Sequence, residues 1–151
     1  MTICIVDTSI LLDILDVPKR SDHRREVLME LRGLLADKAD LLLPPAAVFE
    51  TGNHIAHVAD GRLRRRCAEH FTTQMRKALA AEAPWVVTPP PTREQIDALL
   101  DGFADYAAKG IGFGDVAIIE EWRIQVNRWP QRRVRIWSLD HHLSSHDTGP
   151  H

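Results

Sequence analysis

Ile3-Cys4-Ile5-Val6-Asp7-Thr8-Ser9-Ile10-Leu11-Leu12 is the stretch whose reading decides the fold. Its opening apolar run, Ile3 to Val6, suits a strand buried on both faces, as in a parallel sheet. Thr8 and Ser9 are good helix N-caps, and the apolar run after them has a helical look until Pro18 breaks it. A strand over 3–7 is therefore predicted to turn at once into a helix, with Asp7 at the strand's carboxyl end. Ligand sites of open α/β sheets lie at that end.

Working outward, the same alternation repeats. Ser21 or Asp22 can cap a helix carrying Val27, Leu28, Leu31, Leu34 and Leu35 at spacings of three and four. A short strand is predicted over 40–43. Pro44-Pro45 then open a helix to about Val58, proline being favoured at the first helical position. Gly61 marks a joint before a helix over about 62–81, and 85–88 reads as a third strand. Thr92 and Gln95 have capping-box spacing and begin a helix to about Ala108. Asp115 to about Asn127 reads as helical, and Val134 to Leu139 as the last strand. Strands alternating with helices predict an α/β fold, a parallel sheet of about four to five strands with helices on both faces. One domain over 1–143 is expected, with a loose tail over 144–151 rich in Ser, His and Gly.

Composition fits a globular chain of one domain. The 151 residues can bury one core but hardly two. A net charge of −2 gives no global attraction to a polyanion, although nearly all the basic residues are arginines and several are clustered. Cys4 and Cys67, with no CxxC, read as reduced thiols rather than a zinc site. The N-terminus lacks a basic leader and Asp7 interrupts its apolar run, so no signal peptide is expected. No stretch reaches the ~18 apolar residues of a membrane span. A cytoplasmic location is expected.

Four acids stand where segments should enter or leave the sheet. Asp7 ends the first strand and Asp140 follows the last. Glu50 lies early in the helix opened by Pro44-Pro45, and Asp115 lies in Gly112-Phe113-Gly114-Asp115 at the start of another. Singly, Asp7, Asp115 and Asp140 read as helix caps. Glu50 has no such role. Jointly, the four predict an anionic pocket that wants a hard cation, because carboxylates are rarely buried unless paired or bound to metal.

The ordered set Ile5-Val6-Asp7-Thr8-Ser9, Val48-Phe49-Glu50, Gly114-Asp115-Val116-Ala117 and Ser138-Leu139-Asp140 resembles the PIN domain over nearly the whole chain. That family of metal-dependent nucleases includes the VapC-type toxins. The resemblance implies that Asp7, Glu50, Asp115 and Asp140 are the catalytic and metal-holding acids, with Mg²⁺ or Mn²⁺. Ser9 and Ser138 match the family's supporting hydroxyls, Ser138 standing where Thr is usual. Leu143 stands where Phe is usual. The implied activity is an endoribonuclease in which metal-activated water hydrolyses RNA and leaves a 5′-phosphate and a 3′-hydroxyl. In a toxin setting the resemblance implies a small antitoxin protein covering the acidic groove, and a homodimer.

Supporting residues are read from position. Asn53 and His54 share the helical face of Glu50, and either orient it and touch phosphate or form a polar helix edge. Arg62, Arg64, Arg65 and Arg66 form one basic block; Arg132 and Arg133 belong to a second, with Arg128 and Arg135. Arginine forks suit nucleic-acid phosphate, while the bland reading of both blocks is a solvated face. Trp122, Trp129 and Trp137 read as packing residues rather than a stacking platform.

Two other acid-bearing α/β classes fit poorly. A phosphatase of the haloacid-dehalogenase type wants a second Asp two residues after the first, and position 9 is Ser. A phospho-acceptor signalling domain wants a late Lys, and none follows residue 109. The alternatives left open are a PIN-like RNA- or protein-binding module without nuclease activity, and a housekeeping RNA-processing nuclease.

Overall fold

A computed structural model describes residues 1–149. Its elements run β1 (Ile3–Val6), α1 (Thr8–Ile14), α2 (Arg24–Ala36), β2 (Asp40–Leu43), α3 (Pro45–Ala56), α4 (Gly61–Leu79), β3 (Trp85–Val87), α5 (Arg93–Ala108), α6 (Phe113–Arg128), β4 (Val134–Trp137) and α7 (His141–Ser144). The strands form one parallel sheet in the order β3-β2-β1-β4. The chain thus builds outward from β1 through β2 to β3, then returns to lay β4 on the other side of β1. The order reverses between β1 and β4, which is where open α/β sheets open a crevice at their carboxyl ends.

The expected α/β class is the one observed. β1 is buried along its length because both faces of the sheet are covered. Cys4 and Val6 face a core shared with Leu11 of α1, Val27 of α2 and Met75 of α4. Ile3 and Ile5 face the opposite core, with Ile118 and Ile119 of α6 and Leu143 of α7. Alternate residues of a strand point to opposite faces, so one short apolar run serves both cores.

Several local signals act as read. Pro45 occupies the first turn of α3, and Thr92 with Gln95 forms the reciprocal capping box of α5. Trp122 and Trp137 pack, with indole N–H groups donating to the Val134 carbonyl and to Glu30. Elsewhere the structure departs from expectation. Of the three capping candidates it is Asp7 that caps α1, not Thr8 or Ser9, and α6 begins at Phe113, ahead of Asp115. The stretch 144–149, expected to be loose, runs back along β4: Asp147 bridges Arg135, Ile136 N–H donates to the His146 carbonyl and Thr148 N–H to the Val134 carbonyl. The last two residues of the expected tail lie outside the described residues.

Candidate functional site

The turn after β1 sets the centre of the site. Asp7 is 4% exposed, and its backbone N–H still pairs with Trp137 of β4 at 3.0 Å. Its side chain therefore sits between the two strands whose order reverses. Oδ2 accepts from the Ser138 hydroxyl at 2.7 Å, the Ser9 hydroxyl at 2.8 Å and the Ser9 backbone N–H at 3.4 Å. Among the described residues no donor is assigned to Oδ1.

The two serines also reach the other strand exit. Ser9 Oγ accepts from Leu139 N–H and Ser138 Oγ accepts from Asp140 N–H, each at 3.0 Å. Each hydroxyl thus spends its proton on Asp7 and its lone pairs on the loop that carries Asp140. Asp140 caps α7 through His142 N–H at 2.9 Å, so the cap reading holds for it.

Glu50 is half-buried on α3 and reaches the site past the start of α6. A Cβ on Gly114 would stand 3.2 Å from Glu50 Oε2. That is tighter than ordinary contact, so a side chain here would press the end of Glu50 aside by a few tenths of an ångström. The next residue, Asp115, lies in the first turn of α6, where the helix dipole favours a carboxylate. Its carboxyl is nevertheless pushed up to about 6, first by burial, then by Asp7, Glu50 and Asp140, with His142 opposing. The acids therefore act on one another electrostatically.

All of them line one cavity of about 360 Å³, together with Ser9 and His54. Asn53 does not line it. It is exposed, and its carbonyl faces the His57 ring at 2.7 Å. The basic blocks are not at the cavity either. Arg62, Arg64, Arg65 and Arg66 are exposed on the first turns of α4, where Arg64 donates to the Val58 carbonyl and Arg65 pairs with Glu69. Asp60 caps that helix, which offsets the basic block's conflict with the dipole. Arg132 pairs with Asp40 and the Met1 carbonyl, and Arg133 with Asp147. Both precede β4, at the end of the sheet opposite the acids.

Residues not anticipated complete the wall. Asp13, Arg20, Asp22 and His23 also line the cavity. Asp13 is 1% exposed. Burial raises its carboxyl pKa, and the His23 backbone N–H at 3.2 Å opposes that rise. An acid inside Ile10-Leu11-Leu12-Asp13-Ile14-Leu15 was the available signal, since it falls four residues after Ser9 on one helical face.

Beside the acidic cavity runs an apolar groove of about 450 Å³, lined by Pro44, Phe49, Pro90, Ile96, Phe113 and Ala117 among others. Phe49 and Phe113 are 71% and 36% exposed there.

The donor set is all oxygen and suits a hard cation. Among the described residues no three His, Cys, Asp or Glu side chains gather in a group able to hold a metal ion directly. No helix among the described residues is long and apolar enough to cross a membrane. No protein-family model matches the chain, and no curated protein matches it.

Proposed function

We propose that this chain is a PIN-like endoribonuclease that hydrolyses RNA phosphodiester bonds with Mg²⁺ or Mn²⁺. The observation that carries the reading is the gathering of Asp7, Glu50, Asp115 and Asp140 around one cavity at the sheet's reversal point, where Asp115 responds to the other three. Bound there, the ion would supply an activated water and neutralise charge on the phosphate.

The chain's own residues prepare that chemistry. Ser9 and Ser138 hold Asp7 by Oδ2 and leave Oδ1 without a donor among the described residues. Ser138 couples that hold to Asp140. Glu50, beside Gly114, and Asp115, whose carboxyl it helps raise, add to the negative field that would draw the cation. Water attacks phosphorus and the 3′-oxygen leaves with a proton, giving a 5′-phosphate and a 3′-hydroxyl.

The partners belong to the same proposal. The apolar groove beside the acids supports a protein partner, either a small antitoxin that also covers the cavity or a second copy in a homodimer. The free thiols Cys4 and Cys67 support a reducing, cytoplasmic setting. A second reading, a PIN-like module that binds RNA or protein without cutting, is favoured by the lack of a ready-made three-ligand group.

Cleavage of mixed-sequence RNA by the purified protein in Mg²⁺, Mn²⁺ or EDTA, beside Asp115→Asn, decides between them. Metal-dependent cutting that the variant loses supports the nuclease. A folded protein that cuts in no metal supports the binding module.

A further inference from the structure

We propose that Arg20 is the phosphate-binding residue of the acidic cavity, holding an RNA backbone phosphate next to the one that is cut. The inference rests on the nuclease reading above. A polyanion entering a cavity lined by Asp7, Glu50, Asp115 and Asp140 needs a cation on the wall. Among the described residues Arg20 is the only Arg or Lys lining it. Among the described residues its side chain has no ion pair and no hydrogen bond, whereas Arg132 and Arg133 are both committed to carboxylates. An unpaired guanidinium keeps its full fork for phosphate.

The loop between α1 and α2 is built to present it. Val17 is 1% exposed and plugs the core, its N–H donating to the Leu12 carbonyl at 3.1 Å. Arg20 N–H donates to the Val17 carbonyl at 3.0 Å, and Asp13 pins the loop's far end through His23 N–H at 3.2 Å. Asp16 and Lys19 hold φ of 54° and 60°. Non-glycine residues stay in that region only where their surroundings impose it. The loop is thus tied down on both sides of Arg20.

The test is fluorescence anisotropy of a labelled single-stranded RNA oligonucleotide with the Asp115→Asn protein in Mg²⁺, over a series of KCl concentrations. Arg20→Ala is expected to weaken binding on the order of tenfold and to make the salt slope shallower by about 0.7, the share of one single-strand phosphate. Arg20→Lys is expected to keep the slope and lose part of the affinity. Lys109→Ala, the same charge change on an exposed helix end, is expected to alter neither. Equal behaviour of Arg20→Ala and Lys109→Ala overturns the proposal. So does an Arg20→Ala protein that binds Mn²⁺ more tightly with RNA binding unchanged, since Arg20 would then only neutralise the acids. The wild type's cutting is scored separately. A wild type that cuts RNA while Arg20→Ala binds normally defeats the Arg20 role alone, and a protein that neither binds nor cuts RNA defeats both.

Discussion

The Ser138 hydroxyl donates to Asp7 Oδ2 at 2.7 Å across a sequence separation of 131. It joins the exits of the strands between which the sheet order reverses, and its lone pair takes Asp140 N–H. Ser138→Ala removes a donor from a buried carboxylate. A cost of about 1–2 kcal/mol is expected, with activity reduced on the order of tenfold, while Ser138→Thr retains both. Urea melts and cleavage rates of the two variants check this. Equal loss in Ala and Thr would place the effect in packing rather than in the hydroxyl.

Asp115 links stability to pH. Its carboxyl stands at about 6 in the folded chain against an ordinary 3.8. The protonated form is the one the fold favours, so this contribution is full below pH 3.8 and is lost as pH rises through about 6. At about pH 8, without metal, Asp115→Asn is expected to stabilise the protein by about 1–2 kcal/mol, after discounting for solvent screening. Near pH 3.5 the gain should vanish. Urea melts of variant and wild type in EDTA at the two pH values measure it, and a gain over the wild type no larger at pH 8 than at pH 3.5 would contradict the raised carboxyl.

Gly114 bears on Glu50 rather than on the stability of α6. Gly114→Ala adds up to about 1 kcal/mol of helix propensity but sets a Cβ 3.2 Å from Glu50 Oε2. Stability is expected to hold or rise slightly while Mn²⁺ binding weakens. Thermal melts with and without Mn²⁺ separate the effects. A variant with normal metal response would show that Glu50 yields freely.

Arg132 and Arg133 should be silent toward RNA. In each pair one partner is exposed and the other only partly so, so replacing either with Ala should cost about 1 kcal/mol. Oligonucleotide affinity should be unchanged. A weakening comparable to that of Arg20→Ala would mean that RNA wraps to the far end of the sheet.

Sequence made the acids and the element order readable because each acid borders a periodic apolar segment, and such segments can fold in few ways. It did not reveal which arginines are free. Arg132 and Arg20 look alike in one dimension, and only the third shows Asp40 beside the first and the cavity beside the second. Sequence left Asp7, Thr8 and Ser9 as capping candidates for α1, because such residues cap about equally well, and the fold uses Asp7, whose carboxylate accepts from Ser9 N–H. The 144–149 segment has no strand propensity of its own. Its pairing comes from the open edge of β4 and from Arg133, which is tertiary information.

The most direct test is calorimetric titration of Mn²⁺ into the wild type and into Asp7→Asn, Glu50→Gln, Asp115→Asn and Asp140→Asn. If the acids form one metal site, the wild type binds and each variant binds at least about tenfold more weakly, a loss of about 1.4 kcal/mol. A wild type that binds no Mn²⁺, or variants that all bind as it does, would contradict the site.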